Sequence, residues 1–407
     1  EVSLSPFLPL PEFLEYSDLD GDRTPDLLVS GQRGDVHGFL STLATSSFTS
    51  TSVSGQIFWD LNNSNDLELG IDSLLEWIPV QLNSGDQLAF SNEEGKYRHY
   101  LNPGNYEVSL LPNTDWEINS QPISYLFNVQ SDPILGFDIG VEDNPSDQGL
   151  FWELVLESHL CGATVSGSIQ VYNSRSAVGS GSMIVSFPDE MTVESLGLAP
   201  DQTVGNIFSW ELQDLQPAKR LRIPIEVQIP EETLENPFYS IRGALTFNES
   251  PGDEVVDSLQ YDFRPDCNPA QIDLLVDPHP VNRGPYLFPE ETLRYTVRFS
   301  VPADANPQQI VLVNILDPDL DWLSFQPIAA SHLHQLSVDR NSGLVTCVFE
   351  DTEAILAEGN GYFSFAIKPK NDLPENTSIT QQAGVIFDAN SPLATNQTEH
   401  FVVSEIP

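Results

Sequence analysis

The feature that most restricts this chain is period-two alternation of apolar and polar residues. Leu221, Ile223, Ile225, Val227 and Ile229 fall on one side of an extended backbone, and Arg222, Pro224, Glu226, Gln228 and Pro230 fall on the other. Leu293, Tyr295, Val297 and Phe299 repeat the pattern against Arg294, Thr296, Arg298 and Ser300. Successive side chains of a strand point to opposite faces, so such segments read as antiparallel strands with one face on a core and one in water. Strand-like runs recur at roughly the 8 to 12 residue spacing of all-β domains, broken by clusters of Pro, Gly, Asn and Asp. No long amphipathic helix competes with them. The expected fold class is all-β, a string of tandem β-sandwiches.

At 407 residues the chain has room for about three such domains. Its 40% hydrophobic content supplies real cores and argues against wholesale disorder. Sixty acidic against 16 basic residues give a formal charge of -44, which argues against nucleic acid or an anionic membrane as partner and fits divalent cations or a salty medium. The longest apolar run, Ile310 to Leu316, is interrupted by Asn314 and falls short of a membrane span, so no membrane insertion is expected. The start at Glu1 reads as a mature or excised fragment. Three cysteines, two methionines and many Thr, Asn and Pro residues are consistent with an extracellular or cell-surface location.

Between Val53 and Val108 the chain reads Gly55-Gln-Ile-Phe-Trp-Asp-Leu-Asn-Asn-Ser-Asn-Asp-Leu-Glu-Leu-Gly70, and later Gly95-Lys-Tyr97 and Pro103-Gly-Asn-Tyr-Glu-Val108. Oxygen donors stand at Asp60, Asn62, Ser64, Asp66 and Glu68, an every-second-residue spacing that lets one loop wrap calcium, which takes six to eight oxygens. The alternative is an Asn-rich hairpin loop. The stretch resembles the B-type domains of serine-aspartate-repeat adhesins and the wider collagen-adhesin B family, which implies a calcium-clamped, transthyretin-like β-sandwich over 51–142. Ser64 replaces a usual Asp, Ile71 follows Gly70 where Glu is usual, and His99 stands where Phe is usual. Upstream, Ser17-Asp-Leu-Asp-Gly-Asp-Arg-Thr-Pro-Asp-Leu-Leu-Val29 places Asp18, Asp20, Asp22 and Asp26 within nine residues, where they would repel one another without a cation. This resembles the calcium loop of FG-GAP-type propeller repeats, and a solvated acidic turn is its alternative. Only one copy is visible, so 1–50 is read as a remnant followed by a Ser/Thr-rich linker.

Segment 143–266 resembles an immunoglobulin-like sandwich of the additive, repeat-domain kind, through Ser166-Gly-Ser-Ile-Gln-Val-Tyr-Asn173, Ile184-Val-Ser-Phe-Pro-Asp189 and Phe208-Ser-Trp-Glu-Leu212. Segment 267–407 resembles a repeat domain of secreted Bacteroidota proteins exported by type IX secretion, above all in Gly384-Val-Ile-Phe-Asp-Ala-Asn-Ser-Pro-Leu-Ala-Thr-Asn396. That likeness implies a non-catalytic, immunoglobulin-like β module. In an up-down strand order, the first strand of the middle segment (about 151–158) and its seventh (about 255–263) run the same way. Their exits then lie at one end, which pairs Cys161 with Cys267 and leaves Cys347, alternating with Val345 and Phe349, as a buried thiol.

His332 and His334 could share a strand face suited to zinc, but without a third ligand nearby an ordinary exposed or packed pair accounts for them better. Trp59, Trp77, Trp116, Trp152, Trp210 and Trp322 read as core residues rather than a carbohydrate platform. No Gly-x-Ser-x-Gly, phosphate-cradling loop or His-Glu-x-x-His is present. The expectation is a non-enzymatic extracellular structural or adhesive segment stiffened by calcium, bound to an unknown surface ligand or to itself. Its rivals are a polysaccharide-binding or spacer region of a larger secreted hydrolase, and a self-assembling filament or sheath subunit.

Overall fold

A computed structural model describes residues 52–405 except 84, 86, 102–103, 112–115, 120–121, 130–133, 144–149, 158, 174–177, 217–218, 232–238, 251–252, 264, 266–271, 278–283, 302–304, 351 and 389–391. Before residue 52 it describes only the backbone of Pro11–Ser17, Asp26–Gly31 and Val36–Phe39, an antiparallel three-stranded sheet. The fold is all-β. Among the described residues one short helix occurs, Thr352–Glu358.

The first module is built on Ser52–Trp59, which pairs antiparallel with Lys96–Tyr100 and parallel with Ile139–Asp143. Its second sheet runs Tyr125–Val129, Gly104–Leu110, Pro79–Leu82, Gln87–Phe90. Val53, Ile57, Leu75, Val80, Tyr97, Val108 and Val141 fill the space between. Gly55 stands where a Cβ would lie 2.0 Å from the Phe137 carbonyl oxygen, so only glycine lets that backbone pass so close.

The middle module packs Leu150–Leu156, Thr164–Asn173, Arg220–Gln228 and Thr192–Leu196 against a five-stranded sheet that ends on the long edge strand Asp253–Phe263. Ile223, Ile225, Val227 and Ile229 are buried here while Arg222, Glu226 and Gln228 are exposed, as alternation requires. The third module stacks Ile272–Asp277, Leu293–Ser300, Asn360–Pro369 and Leu320–Ala330 over Ile310–Ile315, His334–Asp339, Leu344–Phe349 and Ala383–Phe387. Leu293, Tyr295, Val297 and Phe299 line its core.

The modules follow one another in sequence but also join. Gln87–Phe90 of the first pairs antiparallel with His334–Asp339 of the third, in the register Leu336 to Phe90 and Val338 to Leu88, which makes one nine-stranded sheet. Pleating then divides a single strand between two cores. Leu88 and Phe90 belong to the core of the third module, and Ala89 to that of the first.

The polar face of Leu293–Ser300, expected in water, is a correction. It lies against the middle module, and Arg298 is 7% exposed. Val155 packs there with Ala329 and Tyr362.

Candidate functional sites in the acidic loop and the module joint

Asp60 directly follows the strand Ser52–Trp59 and is buried, which orients its carboxylate into the loop that follows. The N–H groups of Ser64 and Asn65 donate to its Oδ1 (3.0 Å) and Oδ2 (2.9 Å), and Asn119 Nδ2 donates to Oδ2 at 3.3 Å. Asn62 Oδ1 accepts from Ser64 N at 3.0 Å, Asn62 Nδ2 donates to Glu68 Oε2, and Ser64 Oγ donates to the Asp66 carbonyl at 3.0 Å. Asn63 and Asn65 take positive φ angles of 56° and 66°, which Asn tolerates better than most residues. The structure therefore gathers Asp60, Asn62, Ser64 and Glu68 into one loop, with Asp66 contributing its carbonyl.

Asp72, which the alternate spacing did not single out, closes this loop from the far side. Its carboxylate accepts from Leu61 N at 3.2 Å and Glu68 N at 2.7 Å. The signal was present in the sequence, one residue beyond Ile71. Hard oxygens make the donor set chemically suited to calcium. Their arrangement is a hydrogen-bonded closure, and among the described residues no three His, Cys, Asp or Glu side chains converge to hold a metal. Asp18, Asp20 and Asp22 lie outside the described residues, as does the side chain of Asp26.

Cys161 is disulfide-bonded, Cys347 is a buried free thiol, and Cys267 lies outside the described residues. The His159 ring lies tilted against Phe263, 4.7 Å between centroids, which brings the exits of Leu150–Leu156 and Asp253–Phe263 to the same end of the module. His334 is buried beside Trp77, 5.1 Å between ring centroids, and its Nδ1 pairs with the His332 carbonyl. Burial lowers its pKa to about 4. Trp152 and Trp210 are buried, and Trp59, Trp77 and Trp322 are half-buried against the cores. The Trp116 side chain lies outside the described residues.

A second site was not anticipated from sequence. Arg220 of the middle module touches both others: its Nε lies 3.3 Å from Glu76 Oε2, its Nη1 donates to the Ile328 carbonyl at 3.0 Å and to Gln170, and its guanidinium sits 5.4 Å over Trp77. Burial pushes the Glu76 carboxyl up, and Arg220 pulls it back down. Nearby, Lys219 Nζ donates to the Leu74 carbonyl at 3.2 Å, Arg294 bonds Glu153 at 2.5 Å, and Arg298 Nη2 donates to Tyr261 Oη at 2.8 Å. Arg98 meets Glu350 at 3.5 Å across the first and third modules. Five of the chain's 16 Lys and Arg residues, Arg98, Lys219, Arg220, Arg294 and Arg298, thus stand at contacts between modules. In so acidic a chain, this concentrates cations where carboxylates and carbonyls of two modules meet. Their sequence signal was an Arg pair on a strand of a chain poor in Arg.

A family model described as a domain of unknown function (DUF7619) matches residues 280–401, within the third module. No curated protein sequence matches the chain. Among solved structures it is similar to the C-terminal domain of the Streptococcus pyogenes antigen I/II-family protein AspA, with 10% identity over 62% of this chain and 99% of that one and a TM-score of 0.25. It is also similar to BcpA, the major pilin subunit of Bacillus cereus, with 8% identity over 88% and 96% of the two chains and a TM-score of 0.25. For the collagen adhesin of S. aureus the values are 8%, 63%, 93% and 0.22. Superpositions this loose fix neither module arrangement nor function.

Proposed function

We propose that this chain is a rigid, non-enzymatic structural segment of an extracellular or cell-surface protein, one that holds a surface ligand or neighbouring copies in fixed geometry. The observation that carries the reading is the joint. A strand shared between two cores and a half-buried guanidinium touching three modules leave little freedom for hinge motion, which is what a stiff spacer requires and a flexible linker lacks. The disulfide at Cys161 supports an oxidising compartment, where such bonds persist. Calcium enters as an ion exchanged for the Asn62–Glu68 hydrogen bond in the acidic loop.

Small-angle scattering of the dilute chain tests the reading. A compact block of this length has a radius of gyration of roughly 22 Å, whereas three beads in a row exceed about 30 Å. A value near the larger figure overturns the rigid-segment reading.

A further inference from the structure

The nine-stranded sheet has two ends. One is the two-residue strand Leu393–Ala394, and the other is Tyr125–Val129, which among the described residues pairs with Gly104–Leu110 on one side only. We propose that Tyr125–Val129 pairs antiparallel with the same strand of a second copy of this chain. An open edge presents a row of unpaired N–H and C=O groups, and proteins ordinarily blunt such edges with charge, bulges or cover.

Other edges of this molecule are blunted in those ways. Asp253–Phe263 carries Asp253, Glu254, Asp257 and Asp262. Along Ser378–Gln381, the Asp317 carboxylate takes the Thr380 N–H at 2.8 Å. Among the described residues, Tyr125–Val129 has neither device. Among the described sheet-edge strands it is the longest without a charged residue, and the chain carries no charge from Ile118 to Ser131. Leu126 is 80% exposed and Ile123 60%.

The strand is also held ready. Tyr125 stacks on Phe137 with centroids 4.5 Å apart and donates its hydroxyl to the Asp138 carbonyl at 2.7 Å, and Phe127 lies against Tyr106 and Phe137. Leu126 faces outward. Little conformational entropy remains to be lost on pairing.

Two arguments favour a second copy over another partner. Bodies of charge -44 repel over most of their surface, so copies approach most easily where charge is absent, with Glu107, opposite Leu126, the acid to accommodate. In addition, the first module already accepts an antiparallel strand of this chain at the opposite edge of the same sheet, at Gln87–Phe90. Antiparallel pairing of one strand with itself is two-fold symmetric and closes as a dimer. The inference is independent of the rigid-block reading, because a compact monomer satisfies that reading and fails this one.

Sedimentation of the full chain from about 1 μM to about 1 mM covers moderate to weak association. Comparison of low with high salt adds a second axis, since the screening length of about 10 Å at 0.1 M falls to about 3 Å at 1 M. A dimer is expected, tighter at high salt. L126E should weaken it at least tenfold, whereas V256E on the acid-guarded edge should leave it unchanged. In wild type, amide exchange at 125–129 should slow as concentration rises, a check that needs no variant. A monomer throughout, a dimer indifferent to L126E, or exchange independent of concentration overturns the proposal, the first result leaving the edge to a strand of another protein.

Discussion

His99 and His334 make the fold sensitive to acid. Both are buried, and burial holds each at about pKa 4, well under the ordinary value, although carbonyls of Val80 and His332 accept from their rings. As pH falls below about 6.5 the unfolded chain takes up these protons first, so stability is lost between about 6.5 and 4, roughly 2 kcal/mol per histidine from pH 7 to pH 5. Asp317 works in the opposite sense. Burial raises it to about 6, so the folded state binds its proton first and gains roughly 1 kcal/mol over the same interval. His334→Phe keeps an aromatic ring beside Trp77, Phe349 and Phe363. Denaturant titrations should show the variant losing about 2 kcal/mol less than wild type from pH 7 to pH 5, and equal losses would refute the assignment. In the acidic loop, calcium at millimolar concentration should raise the melting temperature over that in chelator, because a ligand confined to the native state stabilises it. Identical melting temperatures would remove calcium from the function. Asp60, Asn62, Ser64 and Glu68 were legible as one loop because the spacing of donors is local. The amide partners that satisfy Asp60, and the closing role of Asp72, depend on how the loop folds back.

The strand Gln87–Phe90 shows what an element gains from context. Its sequence, Gln-Leu-Ala-Phe, reads as one more short strand, and nothing local says that Leu88 and Phe90 complete a core centred more than two hundred residues away. Phe90→Ala should therefore destabilise the third module, not only the first, by about 3 to 5 kcal/mol, the usual cost of deleting a buried ring. Amide exchange along Leu344–Phe349 is the readout, and unchanged protection there would separate the two cores. The alternating segments were legible throughout, since the inward residues of Arg220–Gln228 and Leu293–Ser300 are those the pattern marks. At the ends of the middle module, a Cys161–Cys267 bridge would close a loop of roughly a hundred residues and contribute about 4 to 5 kcal/mol in the chain-entropy model. Thiol titration under denaturing, non-reducing conditions should find one free cysteine, that of Cys347. Three would exclude the bridge.

At the scale of the whole molecule, five of the 16 cations act at the seams. Arg220→Met would leave the half-buried Glu76 with Lys219 as its remaining nearby cation, and the cost is at most the roughly 3 to 5 kcal/mol of breaking a fully buried pair. The expected result is a first module that melts separately and a larger radius of gyration. An unchanged melting profile would reduce Arg220 to a bystander. The sequence by itself determined the all-β class, the inward faces of the alternating strands and the acidic loop, because those follow from side-chain periodicity and donor spacing within a few residues. Only the tertiary structure decided which polar faces meet water. Arg294 and Arg298 read as solvated because alternation reports a polar face and not what covers it. That cover comes from Glu153 and Tyr261, more than thirty residues away in sequence, and it is the favourable pairing across the seam that turns an outward face into a buried joint.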